Sequence, residues 1–253
     1  MLVVAVVVGL VFLLSSGSTP KPKKSATGKS TTTASTKAGS TTTSTTSTTA
    51  VAAAAPTCPP ATAAGAAKRV VDFTKAPPTC ISPAGVYDAT VVTDVGTFVI
   101  RMDAKASLAA VNNFVFLARY HFFDGTTFLR VIKGFVVQGG SPNGTGAGGP
   151  GYSFTGNIPP KGCTAKKDCY PVWGVAMANS AGPSTNGSQF FIVLPGGQTV
   201  LDQEPNYTLF GQVVSGTSVV ARIGNGGAPS GSSAGTPKVV HHIVKVTITQ
   251  VAS

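Results

Sequence analysis

Arg130 interrupts an apolar run, Phe128-Leu129-Arg130-Val131-Ile132, and an amide side chain, Gln138, follows in Phe135-Val136-Val137-Gln138-Gly139-Gly140. A guanidinium is planar, stays charged at every working pH and donates hydrogen bonds from a fixed fork, but it cannot serve as a base. It suits a reaction in which a lone pair or charge appears on an atom held beside it, with no nucleophile, metal or cofactor. Taken alone, the same residue is an ordinary surface arginine on a strand. Other patterns lead away from chemistry. The Gly-rich stretch 139–151 lacks the Gly-Lys-Ser/Thr ending of a phosphate loop. His241 and His242 are adjacent, so on a strand they point to opposite faces, a poor geometry for one metal. The cysteine spacings do not match a zinc finger, and neither of these histidines sits near a cysteine in sequence. No metal and no cofactor are expected.

The elements that would hold Arg130 and Gln138 are mainly β. Residues 87–93 and 97–102 are β-rich runs separated by Asp94-Val95-Gly96, a hairpin signal. Ser107 is the expected N-cap of a helix running to about Tyr120, with Leu108, Val111, Val115 and Ala118 at helical spacing. Further strands are expected at 128–132, 135–138, 172–178, 189–194, 208–213 and 239–251, and a short helix at 217–223. Many short strands with two helices point to a closed barrel or sandwich with helices at its ends.

The blocks 128–132 and 135–140, with Asn186-Gly187-Ser188-Gln189-Phe190-Phe191-Ile192, resemble the signature blocks of the cyclophilin family in order and spacing. Val111-Asn112-Asn113-Phe114 and Leu209-Phe210-Gly211 agree with it. The resemblance spans roughly 86–251 and implies a closed eight-stranded antiparallel barrel capped by two helices. It also implies peptidyl-prolyl cis/trans isomerase activity on proline-containing polypeptides. By resemblance, Arg130 and Gln138 are catalytic, Gln138 by hydrogen-bonding the substrate backbone. Phe135, Val136, Phe191 and Leu201 match the apolar walls of the proline pocket, and Gln189 joins the substrate-binding set. The backbone-anchoring position falls on Asn179 or Ser180, because 177–184 carries one extra residue. Val136 stands where the family often has Met. Tyr207 stands where many members have a pocket histidine, and Val200 where a tryptophan is often found; the single Trp173 lies elsewhere.

The implied chemistry has a physical basis. An X–Pro bond takes tens to hundreds of seconds to isomerise unaided, behind a barrier of about 18–20 kcal/mol set by amide resonance. In the twisted transition state the prolyl nitrogen regains a lone pair, and a fixed cationic donor there stabilises that state more than the planar one. The rival reading is a non-catalytic module that binds proline peptides from a membrane tether. Binding alone would not need the arginine.

Composition divides the chain into an apolar signal or anchor (1–15), a Ser/Thr/Ala/Lys-rich linker (16–56), a Pro-rich extended arm (57–85) and the isomerase-like domain (86–253). The apolar run 2–14 is shorter than the roughly 20 residues of a membrane span and fits a signal segment better, although no basic residues precede it. The linker is too poor in apolar residues to form a core and is expected to be a flexible tether. Net charge is +11, but of the 19 basic residues 14 lie beyond the linker, with all 8 acids. No basic stripe is interleaved with aromatics, so nucleic acid is not an expected partner. Cys58 and Cys80 flank a Pro/Ala-rich stretch, and Cys163 and Cys169 bracket a polar loop. Three pairings are open; local pairing gives two disulfides and an oxidising, extracytoplasmic location, membrane-anchored or secreted. A monomer is expected.

Overall fold

A computed structural model of the protein describes residues 53–251; the apolar run 2–14 and most of the expected linker lie outside them. Period-two burial builds the first hairpin. β1 (Val86–Thr93) buries Tyr87, Ala89 and Val91, and β2 (Gly96–Asp103) buries Phe98, Ile100 and Met102. Their register runs unbroken from Val86 opposite Asp103 to Thr93 opposite Gly96. Gly96, at φ 135°, closes the turn, and the Thr93 hydroxyl donates to its carbonyl at 2.7 Å.

The chain continues through α1 (Leu108–Arg119), β3 (Arg130–Ile132), β4 (Val136–Gly139), β5 (Gly174–Met177) and a 3-10 turn at Pro183–Thr185. Then come β6 (Phe190–Val193), α2 (Gly197–Leu201), β7 (Leu209–Ser215), α3 (Thr217–Asn225) and β8 (Ile243–Val251). All eight strands join one sheet in the order β3-β4-β6-β5-β7-β2-β1-β8, every pair antiparallel.

Two expectations need correction. The sheet is a curled half-barrel, not a closed barrel, because β3 and β8 do not pair as strands. The free edge of β3 is already taken by the 226–242 loop: Val131 N–H donates to Gly235 O (2.8 Å), and Ala228 N–H donates to Val131 O (2.9 Å). Only the flanking segments meet, through Gly125 to Ile243, Ile243 to Thr126 and Phe128 to His241, at 2.8, 2.8 and 2.9 Å. The α-helices among the described residues number three, not two, since the five-residue α2 joins α1 and α3.

The main core lies on one face of the sheet, where Phe98, Ile100, Val131, Val137 and Ile192 meet Phe114 and Phe116 of α1 and Ile223 of α3. Ser107 occupies the N-cap position of α1, but its hydroxyl makes no capping bond and is buried without a partner among the described residues. From Ala110 to Arg119 every residue of α1 is buried, which a one-faced apolar pattern does not foretell. The arm explains it. Asn112 accepts from Cys80 N–H (2.7 Å) and donates to Pro78 O (2.9 Å), Ala66 N–H donates to Arg119 O (2.8 Å), and the Phe73 ring sits 4.9 Å from Phe116.

Cys58 and Cys80 are bonded, with Cα atoms 5.3 Å apart, across 22 residues of the arm. Removing this closure with Cys58→Ser and Cys80→Ser together should lower unfolding free energy by about 2–4 kcal/mol. Urea unfolding checks it, and an unchanged midpoint would show that packing alone holds the arm.

Candidate functional site

Alternation in β3, β4 and β6 sends a second set of side chains to the face opposite the main core. Val131, Val137 and Ile192 point into the core, so Arg130, Val136, Gln138, Phe191 and Val193 share the other face. In the ladder Arg130 stands opposite Gln138, and Gln138 opposite Phe191. A smaller apolar cluster covers this face: Val136, Phe191, Val193, Ala176, Leu201, Cys169 and Tyr170, with Phe135 and Tyr207 half-buried beside them.

Arg130 is half-buried, and among the described residues no carboxylate pairs with it. Burial lowers its pKa from the ordinary arginine value, while nearby Tyr207 acts in the opposite sense. Its guanidinium carbon lies 5.8 Å from the Phe135 ring centroid, within cation–π range. Gly235, at φ 67°, packs on its stem; a Cβ there would stand 2.7 Å from Arg130 Cγ. The arginine is thus held at its base, and among the described residues its fork makes no hydrogen bond or ion pair.

Gln138 donates through Nε2 to Gln189 Oε1 at 3.1 Å, and Gln189 Nε2 donates to Gly146 O at 2.8 Å. The relay ties the amide to the Gly-rich loop. Phe191 is 4% exposed and meets the Tyr207 ring edge-on at 5.1 Å and 87°. Burial raises the Tyr207 phenol's pKa, Arg130 pulls it down and Glu204 pushes it up. A phenol so placed stays neutral beside the guanidinium.

The structure brings Arg130, Phe135, Val136, Gln138, Phe191, Leu201 and Tyr207 onto one face, with Gln189 bonded to Gln138. Asn179 and Ser180 lie on the loop after β5, where Asn179 bonds Asn206 O (2.9 Å) and Gly182 N–H (3.2 Å). Ser180 is exposed, its N–H donating to the Thr185 hydroxyl at 3.1 Å. Val200 is 45% exposed on α2 and stays outside the cluster that takes in Leu201. Trp173 packs against the main core. Cys163 and Cys169 are bonded, Cα atoms 4.3 Å apart, and both touch the cluster.

Two residues in the site have no signal in the motif blocks. Tyr170 is fully buried under Tyr207, and Asp202 accepts three backbone N–H bonds from Asp168, Cys169 and Tyr170 at 3.0, 3.2 and 3.0 Å. A large aromatic directly after a cysteine in a polar loop was the one available hint. A separate cavity of about 420 Å³, lined in part by Pro77, Lys105 and Asn112, shares no residue with this cluster.

Residues 89–250 match the family described as cyclophilin-type peptidyl-prolyl cis-trans isomerase/CLD. Peptidyl-prolyl cis-trans isomerase A of Mycobacterium tuberculosis is 40% identical over 152 residues, covering 54% of this chain and 79% of the relative. Human peptidyl-prolyl cis-trans isomerase-like 1 is 38% identical over 151 residues, covering 58% and 84%. Among solved structures, a Cryptosporidium parvum cyclophilin-type isomerase, crystallised in the presence of the dipeptide Ala-Pro, superposes with a TM-score of 0.54 at 29% identity. That match covers 64% of this chain and 98% of the other.

Proposed function

The chain belongs to the cyclophilin-type peptidyl-prolyl cis-trans isomerase family, and from that premise we propose that it turns X–Pro bonds in exported or envelope proteins, with Arg130 stabilising the twisted amide. The enzyme class is that of its relatives. The observation that carries the residue assignment is the half-buried Arg130 fork. It lacks an acidic partner among the described residues and stands opposite Gln138 on the face that holds Phe191.

Rotation about the C–N bond breaks amide resonance and returns a lone pair to the prolyl nitrogen. A proline ring seated among Phe191, Val136, Leu201 and Tyr207 brings that nitrogen toward the guanidinium, while the Gln138 amide takes a backbone group of the substrate. Among the described residues the guanidinium has no carboxylate to leave, so it costs little reorganisation when the lone pair appears. Because it binds the twisted state better than the planar one, each 1.36 kcal/mol of that difference is about tenfold in rate. No proton changes hands. The Ala-Pro dipeptide used with the Cryptosporidium parvum relative supports a proline-sized ligand here. Two bonded cysteine pairs and the apolar run 2–14 support an oxidising, extracytoplasmic setting with a signal or anchor. The domain works as a monomer on proline-containing clients. A protease-coupled isomerisation assay on the purified chain tests the reading: a rate proportional to enzyme supports it, and the uncatalysed rate refutes it.

By the same family resemblance, the tryptophan often found where Val200 stands contacts cyclosporin-type macrocycles through its ring face and N–H. Exposed Val200 supplies neither, so such macrocycles should bind poorly while short X–Pro peptides are turned over. An indole covers far more apolar area than a Val side chain. If only about 40 Å² of the excess is buried against the ligand, ~25 cal/mol per Å² gives about 1 kcal/mol, so Val200→Trp should tighten macrocycle binding about fivefold or more. Calorimetric titration of both forms decides it; tight binding by the unaltered chain, or no gain in the variant, contradicts it.

A further inference from the structure

Tyr207 forms the aromatic wall beside Phe191, yet it belongs to no strand or helix. It lies between α2 and β7. Its backbone is held by a side chain: the Tyr170 hydroxyl donates to Tyr207 O at 2.9 Å and accepts from Tyr207 N–H at 2.8 Å. The two rings also meet at 6.3 Å. Tyr170 is itself fixed. It is fully buried, follows the bonded Cys169, and gives its own N–H to Asp202. Asp202 directly follows Leu201, the last residue of α2. The disulfide-closed loop therefore grips the segment 202–207 at both ends, at Asp202 by three backbone N–H bonds and at Tyr207 by one hydroxyl.

We propose that Tyr170 is a positioning residue for the isomerase reaction, setting the Tyr207 wall of the proline pocket from the Cys163–Cys169 loop. This rests on the reading of the Phe191–Tyr207 face as that pocket. Removing the hydroxyl leaves the Tyr207 N–H and carbonyl without their partner and frees the wall to shift. The wall touches the proline ring in the planar and twisted states alike, so its loss weakens binding of both. Tyr170→Phe should raise KM about three- to tenfold and leave kcat within about twofold.

A residue that merely supports the fold would not give that split, nor would its effect depend on Tyr207. The test is a double-mutant cycle on the full chain with one X–Pro peptide: unaltered chain, Tyr170→Phe, Tyr207→Ala and both, with urea midpoints confirming that each is folded. The KM of the double variant should equal that of Tyr207→Ala alone. Multiplying KM effects, or an unchanged KM in Tyr170→Phe, overturns the proposal. Should Tyr170→Phe not fold, the pair Cys163→Ser with Cys169→Ser replaces it, with the same KM rise expected and the same disappearance beside Tyr207→Ala. An unaltered chain without activity would refute the isomerase reading itself; an active chain with an indifferent Tyr170 refutes only its positioning role.

Discussion

Arg130→Ala should lower kcat/KM about 10²- to 10³-fold, the loss seen when one preorganised donor is taken from a developing lone pair or charge. The fold should survive. Arg130 is half-buried without an acidic partner among the described residues, so its removal strands no carboxylate there and relieves some desolvation. The Phe135 ring loses a cation at 5.8 Å, a contact of about 0.5–1 kcal/mol. Steady-state assays with a urea midpoint on the same preparation check both halves. Near-unaltered kcat/KM would mean that pocket binding, not the guanidinium, carries catalysis.

Phe114→Ala should cost about 3–5 kcal/mol of stability, the usual loss for a large buried aromatic. Phe114 is 1% exposed in α1 and joins three rings: Phe123 stacked at 4.8 Å, Phe190 edge-on at 5.4 Å and Phe210 at 5.4 Å. Set against a typical total of about 5–15 kcal/mol, that is a large share. The consequence reaches the site because Phe190 and Phe191 are neighbours on opposite faces of β6. Urea unfolding at constant m-value measures it; a loss under about 1 kcal/mol would mean that the helix repacks around the gap.

What the sequence revealed was the part governed by short-range pattern. Alternation in 87–93 and 97–102, with Asp94-Val95-Gly96 between them, yields the β1–β2 hairpin almost residue for residue. The resemblance, not the alternation, marked Arg130, Gln138 and Phe191, which the ladder sets side by side. What stayed hidden is non-local. β3 is shorter than the 128–132 run because Phe128 N–H leaves the ladder for His241 O. The full burial of α1 depends on an arm whose Cys80 is 32 residues before Asn112. β8 begins at Ile243, not 239, because Val239 and Val240 are exposed and the next two residues are tied to the first hairpin. There His241 bonds Asp94 at 2.8 Å, and His242 donates its N–H to the same carboxylate at 3.0 Å. Desolvation would raise the Asp94 pKa, but these bonds and the histidine charges outweigh it and leave it lowered. Tyr170 meets Tyr207 across 37 residues, a link that no local spacing encodes.

Exchange NMR on a short X–Pro peptide with a trace of the purified chain tests the central claim most directly, since it separates turning the bond from merely holding it. Unaided, the cis and trans signals interconvert over tens to hundreds of seconds. Catalysis at the Arg130 face predicts exchange cross-peaks between them at substoichiometric chain, lost in Arg130→Ala. Peptide shifts that report binding without any exchange would contradict the account and make the chain a proline-binding module.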